Sequence, residues 1–353
     1  MIAYILLAFI IGISAWIEDG KRTTTTIKLF YVGLLAFLII VGFRYWHGDY
    51  GTYEAAYNDR KDVGGDVGYF QLQLLFKNIG LSFQSFVFII TLISVYAFNQ
   101  IARISKWPSF VLVVILGKIF TLYAMSGIRQ YIAMALCWWA VSELLLYKRK
   151  ILFYAMVVFA ATLHGSALII LPVYFFRNMK FTLSNVLTIL LLSFVVGAYS
   201  VRFFQTAVIM SDFVDDRLGS YVLSREGQGM NLINYLENFL FLFLALIVRK
   251  KAVSKIPFYD FFLYMFVIYC GFLLAGKDIG IIKRLRDYYV IAYAFIIPSF
   301  IYLFKEQYRS LCHLVVVLYF VFLLFRSLSV YDNPFPEGYY GRMVPYHSIL
   351  DMK

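Results

Sequence analysis

The sequence predicts an all-α, polytopic membrane protein of about ten full transmembrane helices plus a re-entrant hairpin. Three observations lead there. Of 353 residues, 62% are hydrophobic and 15% charged, too apolar a balance for a water-soluble domain. Continuous apolar runs recur to the end of the chain, among them Phe30 to Val41, Phe86 to Ala97 and Phe239 to Val248, where a transmembrane barrel would alternate residue by residue. The basic residues gather in the short connections between runs, at Lys21-Arg22, Arg103 with Lys106, Lys148-Arg149-Lys150, and Arg249-Lys250-Lys251 with Lys255. That is the positive-inside pattern, so the formal charge of +12 points to membrane lipid headgroups as partners and away from nucleic acid.

The expected spans are 1–17, 28–43, 83–99, 109–126, 129–147, 183–204, 232–249, 258–275, 285–303 and 311–328. The first run has neither a basic leader nor a small-residue cleavage site and reads as a retained span. With Lys21-Arg22 inside, 44–82 becomes an outer loop. It has Gly and Asp turns at Gly48 to Gly51 and Gly64 to Gly68, then an amphipathic stretch, Tyr69 to Ile79, expected as an interfacial helix.

Segment 151–175 decides the remainder. A full crossing would put the acidic loop 206–231, with Asp212, Asp215, Asp216 and Glu226, inside and the Arg249 to Lys255 cluster outside, against the charge rule. A re-entrant hairpin removes the conflict. Its arms of about 12 residues, roughly 18 Å each, reach mid-membrane. Its midpoint, His164-Gly165-Ser166, is where a break is sterically easiest. An ordinary tilted span with one polar turn is the alternative. Segment 206–231 is then an outer loop, and residues 1–353 read as a single transmembrane domain. Cys137, Cys270 and Cys312 lie in or beside apolar runs and read as small buried hydrophobes. No residue spacing calls for a metal, so neither metal nor cofactor is expected.

Charges lodged at the ends of apolar runs are tolerable only with a cavity, a partner or an anionic ligand. In this topology Arg44, His47, Asp49, Arg129, Lys283, Arg284 and Arg286 all lie at outer helix ends, with His164 directed toward them. Arginine's planar fork suits phosphate oxygens, and Arg129 opens a helix whose amides also favour an anion. Snorkelling to headgroups accounts for many such arginines without a substrate. Arg284, Asp287 and Tyr288 share a helical face, so an Arg284–Asp287 ion pair competes with a ligand contact. Lys118, at mid-span, either packs on a carboxylate of another helix or reaches into the cavity. His164 is either a hydrogen-bonded residue at a kink or a contact to a sugar hydroxyl and proton acceptor, which needs a neutral ring. The outer acids Asp49, Glu54, Asp215, Asp216 and Glu237 are open candidates for a base. Tyr45, Tyr50, Tyr53, Tyr57, Tyr288 and Tyr289 could stack on sugars or form an interfacial belt.

Several fragments, in this order, resemble one family. They are Gly42-Phe43-Arg44-Tyr45 followed by Gly48-Asp49-Tyr50 and Tyr53; Gly127-Ile128-Arg129-Gln130 with Ala133; His164-Gly165-Ser166-Ala167; Lys283-Arg284-Leu285 with Tyr288-Tyr289; and Val344-Pro345-Tyr346. The chain is similar to the Wzy-like bacterial polysaccharide polymerases of the exopolysaccharide, capsule and O-antigen branch. The resemblance implies an enzyme of the bacterial inner membrane with its active site on the outer face. It would transfer a growing glycan from undecaprenyl pyrophosphate to the non-reducing end of a lipid-linked oligosaccharide repeat unit, without a metal or other cofactor. A chain-length regulator and a flippase are the implied partners. By that likeness Arg129 and Arg284 bind the pyrophosphate, Arg44, Tyr50 and Tyr288 contact substrate, and His164 or Asp49 assists the acceptor hydroxyl, with Arg129 also counted catalytic.

The rival classes are a flippase or other transporter of lipid-linked oligosaccharide, and, among enzymes, a membrane O-acyltransferase or glycan ligase. A transporter more often shows paired halves, and no internal duplication is visible.

Overall fold

Apolar runs in lipid satisfy their backbone groups within the segment, and among the described residues every regular element is helical apart from one isolated bridge. The computed structural model describes residues 1–18, 23–62, 65–210, 232–276, 280–334 and 341–351. The described residues divide into two compact units, Met1–Leu171 with Ile301–Lys353, and Pro172–Phe300. The apolar texture runs unbroken across both joints, so no linker composition marks them.

In the first unit, α1 (Ile2–Ile17), α2 (Thr24–Gly42), α3 (Tyr50–Asp59), α4 (Val67–Asn78), α5 (Phe83–Ala102), α6 (Pro108–Lys118), α7 (Ile128–Leu146) and α8 (Lys150–Leu163) follow in order. Helix α1 packs on α2 and α6, α2 on α5, α5 on α7, and α7 on α8. A reciprocal capping box between Thr23 and Thr26 starts α2. Helix α6 starts with Pro108, where the missing amide costs nothing, and its next residue is capped from a distance. The buried Glu18 carboxylate accepts the Ser109 hydroxyl at 2.6 Å and the Ser109 amide at 3.0 Å.

Two expected spans are interrupted. The 109–126 run is α6 followed by a π-helical turn, Phe120–Ala124. Lys118 ends α6 at that irregularity and donates to the Tyr319 hydroxyl at 3.5 Å. The amphipathic stretch expected at the interface forms α4, which packs on α3, α5 and α8 and buries Tyr69 and Gln73 against the protein.

Helix α8 ends at Leu163. His164 is extended (φ −161°, ψ 111°), and a 3₁₀ turn covers Gly165–Ile170. The Ala167 carbonyl lies 3.9 Å from Cys137 Sγ, about 12 Å further along α7 than Arg129 at helical rise. His164, by contrast, shares a partner with Arg129, as described below. Past His164 the chain therefore turns back along α7.

The second unit holds α9 (Val173–Phe176), α10 (Leu183–Met210), α11 (Leu232–Ala252), α12 (Tyr259–Ala275), α13 (Gly280–Arg286) and α14 (Tyr293–Ile296). Helix α12 is its centre, buried nearly all round and packed on α10 and α11. A Cβ on Gly197 would stand 2.2 Å from the Leu274 carbonyl, so glycine is what lets α10 approach the α12 backbone. Arg249 grips Asp260 through two 2.7 Å bonds, fixing the end of α11 to the start of α12. The run expected as one helix over 285–303 is α13, a 3₁₀ turn over Asp287–Ala292, α14 and a second 3₁₀ turn over Ile297–Leu303. Asp287, where the tighter winding begins, pairs with Arg286 at 2.9 Å. Of the expected loop 206–231, residues to Met210 continue α10, while 211–231 with their four acids lie outside the described residues.

Returning to the first unit, α15 (Arg309–Asp332) packs on α1 and α6, and the segment after it straps back over residues 43–48. Asp332 accepts the amides of Met343 and Val344 at 2.7 and 2.9 Å. Arg44 and Ser348 form an antiparallel bridge, flanked by Tyr45 amide to His347 carbonyl and Ile349 amide to Phe43 carbonyl, both at 3.0 Å. The Tyr346 hydroxyl donates to the Ile40 carbonyl at 2.9 Å.

Candidate functional site

Helix α7 begins just after the Ser126-Gly127 turn, and that turn is bound to the start of α3. Ser126 Oγ donates to Asp49 Oδ2 at 2.9 Å and accepts the Asp49 amide at 3.3 Å. The approach requires Gly48, whose φ is +57° and whose added Cβ would fall 2.5 Å from Ser126. One turn along α3 from Asp49, the Tyr53 hydroxyl accepts from Arg129 Nε at 3.3 Å, with its ring 5.9 Å from the guanidinium. Burial pushes the Tyr53 phenol up, and neighbouring Arg129 opposes the shift. The second residue of α7 is thus held against α3.

The other side of Arg129 meets a carboxylate from α4. Asp66 stands at the N-cap position of that helix yet makes no side-chain cap. Its oxygens are engaged elsewhere. Arg129 Nη1 donates to Oδ2, His164 Nδ1 donates to the same Oδ2 at 3.1 Å, and the Gly165 amide donates to Oδ1 at 3.4 Å. The start of α4 can come this close to the end of α8 because residue 68 is glycine. A Cβ there would sit 2.2 Å from Thr162 Oγ1 and 2.8 Å from Thr162 backbone. Asp66, Arg129 and His164 keep 14%, 18% and 18% of their side-chain surface, enough for a ligand to touch them.

Because Nδ1 faces a carboxylate, it carries the proton, and Nε2 is left as the open face of the His164 ring. No described residue bonds Nε2. The cluster therefore combines a forked cation suited to phosphate oxygens with an imidazole nitrogen able to take a proton, at the opening of a 19-residue helix whose dipole favours an anion. Among the described residues no group of three His, Cys, Asp or Glu could hold a metal ion.

The other sequence candidates are placed differently. Asp49 serves the Ser126 turn next to the cluster. Arg44 is 1% exposed, with Nη1 donating to the Val41 carbonyl at 2.6 Å and Nε unbonded. Burial lowers its pKa, opposed by surrounding tyrosines, Tyr131 first. Tyr50 is buried and donates to Gln84 Oε1 at 2.8 Å, which makes it a strut of the outer segment. Arg44 and Tyr50 thus do not reach a ligand-accessible surface in this conformation. In the second unit Arg284 is exposed on α13, and Tyr288 is fully buried. Asp66 is the residue that sequence reading missed. Its one local signal, an acid immediately before the apolar stretch of α4, is also the signal of an ordinary helix cap.

Residues 27–348 match the family model described as the EpsG family. Neither the curated proteins nor the solved structures hold a significant match.

Proposed function

Because the chain belongs to the EpsG family, which is associated with an exopolysaccharide-related polymerase role, we propose that it polymerises a glycan carried on a membrane lipid diphosphate. The observation that carries this reading is the meeting of Arg129 and His164 at one point, from the start of α7 and the tip of the α8 break. In the proposed reaction the acceptor sugar hydroxyl attacks the anomeric carbon of the donor glycan. The new C–O bond forms as the bond to the diphosphate oxygen breaks. Its electron pair leaves with the diphosphate, whose growing charge Arg129 neutralises. The hydroxyl proton passes to His164 Nε2. The glycosyl–diphosphate bond supplies the driving force, so the reading requires no nucleotide.

The proposal extends to location and carrier: the bacterial inner membrane, the outer face, and undecaprenyl pyrophosphate. It includes residues 151–175 as a re-entrant hairpin, for which the extended His164 and the contact of Ala167 with Cys137 are the support. Single cysteines at 215 and 251 in a thiol-free background test the topology. Labelling of 251 from outside rejects it.

The decisive experiment incubates the purified protein with its lipid-linked repeat unit and resolves products by length. A ladder with released lipid diphosphate is expected. Unaltered glycan that crosses between vesicle leaflets would assign the protein to transport.

A further inference from the structure

Asp66 gives up its own helix cap, worth about 1 kcal/mol at such a position, to serve three donors that come from two other elements. A carboxylate at 14% exposure, tied to both a guanidinium and an imidazole, does more than neutralise charge. The bond to Nδ1 fixes which nitrogen of His164 holds the proton and which way the ring points, and the Gly165 amide fixes the carboxylate's own orientation. The bond to Arg129 sets the fork beside the same ring.

We propose that Asp66 is a positioning residue for this reaction: it holds His164 as the Nδ1–H tautomer with Nε2 turned to the acceptor hydroxyl, and keeps Arg129 in register beside it. This rests on the transferase reading above. It also gives Asp66 two states. With the site empty, the carboxylate is shared between Arg129 and His164. When a diphosphate takes up the Arg129 fork, Asp66 is left to the imidazole alone, and is then better able to steady the imidazolium formed as the hydroxyl proton arrives. Base and donor site are thereby coupled through one carboxylate.

Two measurements test the proposal. In the length-resolved polymerisation assay, Asp66→Asn is expected to lower kcat by at least ~100-fold, with KM for the lipid-linked unit changed less than about threefold. Asp66→Glu should recover part of the loss. Placed on His164→Asn, the Asp66→Asn change should add far less than its loss alone, the remainder being its hold on Arg129. Multiplying losses, or a rise in KM with kcat intact, would overturn it. The second measurement needs no activity. Nitrogen-15 histidine spectra of the intact protein, assigned with the His164→Asn variant, should show His164 protonated at Nδ1, moving to Nε2 in Asp66→Asn. The opposite tautomer in the unsubstituted protein sinks the proposal, as does an unchanged one in the variant. If Asp66→Asn does not fold, Asp66→Glu carries both readouts: a kcat and ring signal both unchanged would equally overturn it. Failure of the transferase reading looks different: no ladder from the unsubstituted protein, or full kcat from His164→Asn.

Discussion

The backbone amide of His347 donates to Nε2 of His47 at 2.8 Å, while Nδ1 of that ring donates to the Arg342 carbonyl at 2.9 Å. Both ring nitrogens of a fully buried histidine are thus spent on the strap that follows α15. Burial pushes His47 down to about 4, against the pull of its two backbone bonds, and nearby His347 and Arg44 add to the shift.

Acid should therefore release the strap. The unfolded chain takes up the proton near 6.5, the folded ring only near 4, so the stabilisation is complete above about pH 6.5 and is lost as pH falls toward 4. About 3 kcal/mol is at stake. The thermal midpoint should drop between pH 7 and 5, with earlier protease cutting in 341–351. His47→Gln should start lower and show a flatter pH profile.

Replacing the Arg129 fork separates charge from geometry. Arg129→Lys keeps the charge but loses the paired donors, and should cost about tenfold in kcat/KM. Arg129→Ala should cost ~100-fold or more. Equal activities for the two would remove the diphosphate role.

Gly68→Ala probes the seat of Asp66. The added carbon forces α4 away from Thr162, and a displacement of about 1 Å at the cluster is worth about 100-fold in rate. The expected result is a folded protein with lost turnover. Full turnover would show that the Asp66 placement tolerates more slack than the geometry implies.

Glu18→Ala removes the distant cap of α6 and strands the Ser109 amide, for a loss of about 1–3 kcal/mol. A lower thermal midpoint with unchanged specific activity is the expected pair of readings, and Glu18→Gln should fall less.

The apolar helices were legible because an uninterrupted apolar run in lipid leaves the backbone one economical choice. Helices α1, α5, α7, α11 and α12 begin and end within a few residues of the apolar limits read from the sequence. The interruptions were not legible. Nothing in Lys118 to Ala124 or Asp287 to Leu303 distinguishes π or 3₁₀ winding from α, since those choices follow from packing against neighbours. Arg129 and His164 stood out as charges in greasy surroundings. Asp66 did not, because in a polar loop an acid is unremarked until the chain folds it against residues far along the sequence. Arg44 drew attention for the same reason as Arg129, but sequence carries no information on depth, and only the fold separates the buried cation from the accessible one.

The bridge between Arg44 and Ser348 also constrains the whole path of the chain. Two residues in backbone contact occupy the same side of a membrane, so the chain between them crosses an even number of times. In the proposed topology 83–102, 108–124, 128–146, 183–210, 232–252, 259–275, 280–303 and 309–332 would each cross, and eight crossings would return Ser348 to the side of Arg44. A pairing of a few backbone atoms is thus a requirement on any topology drawn for the chain, independent of any charge count.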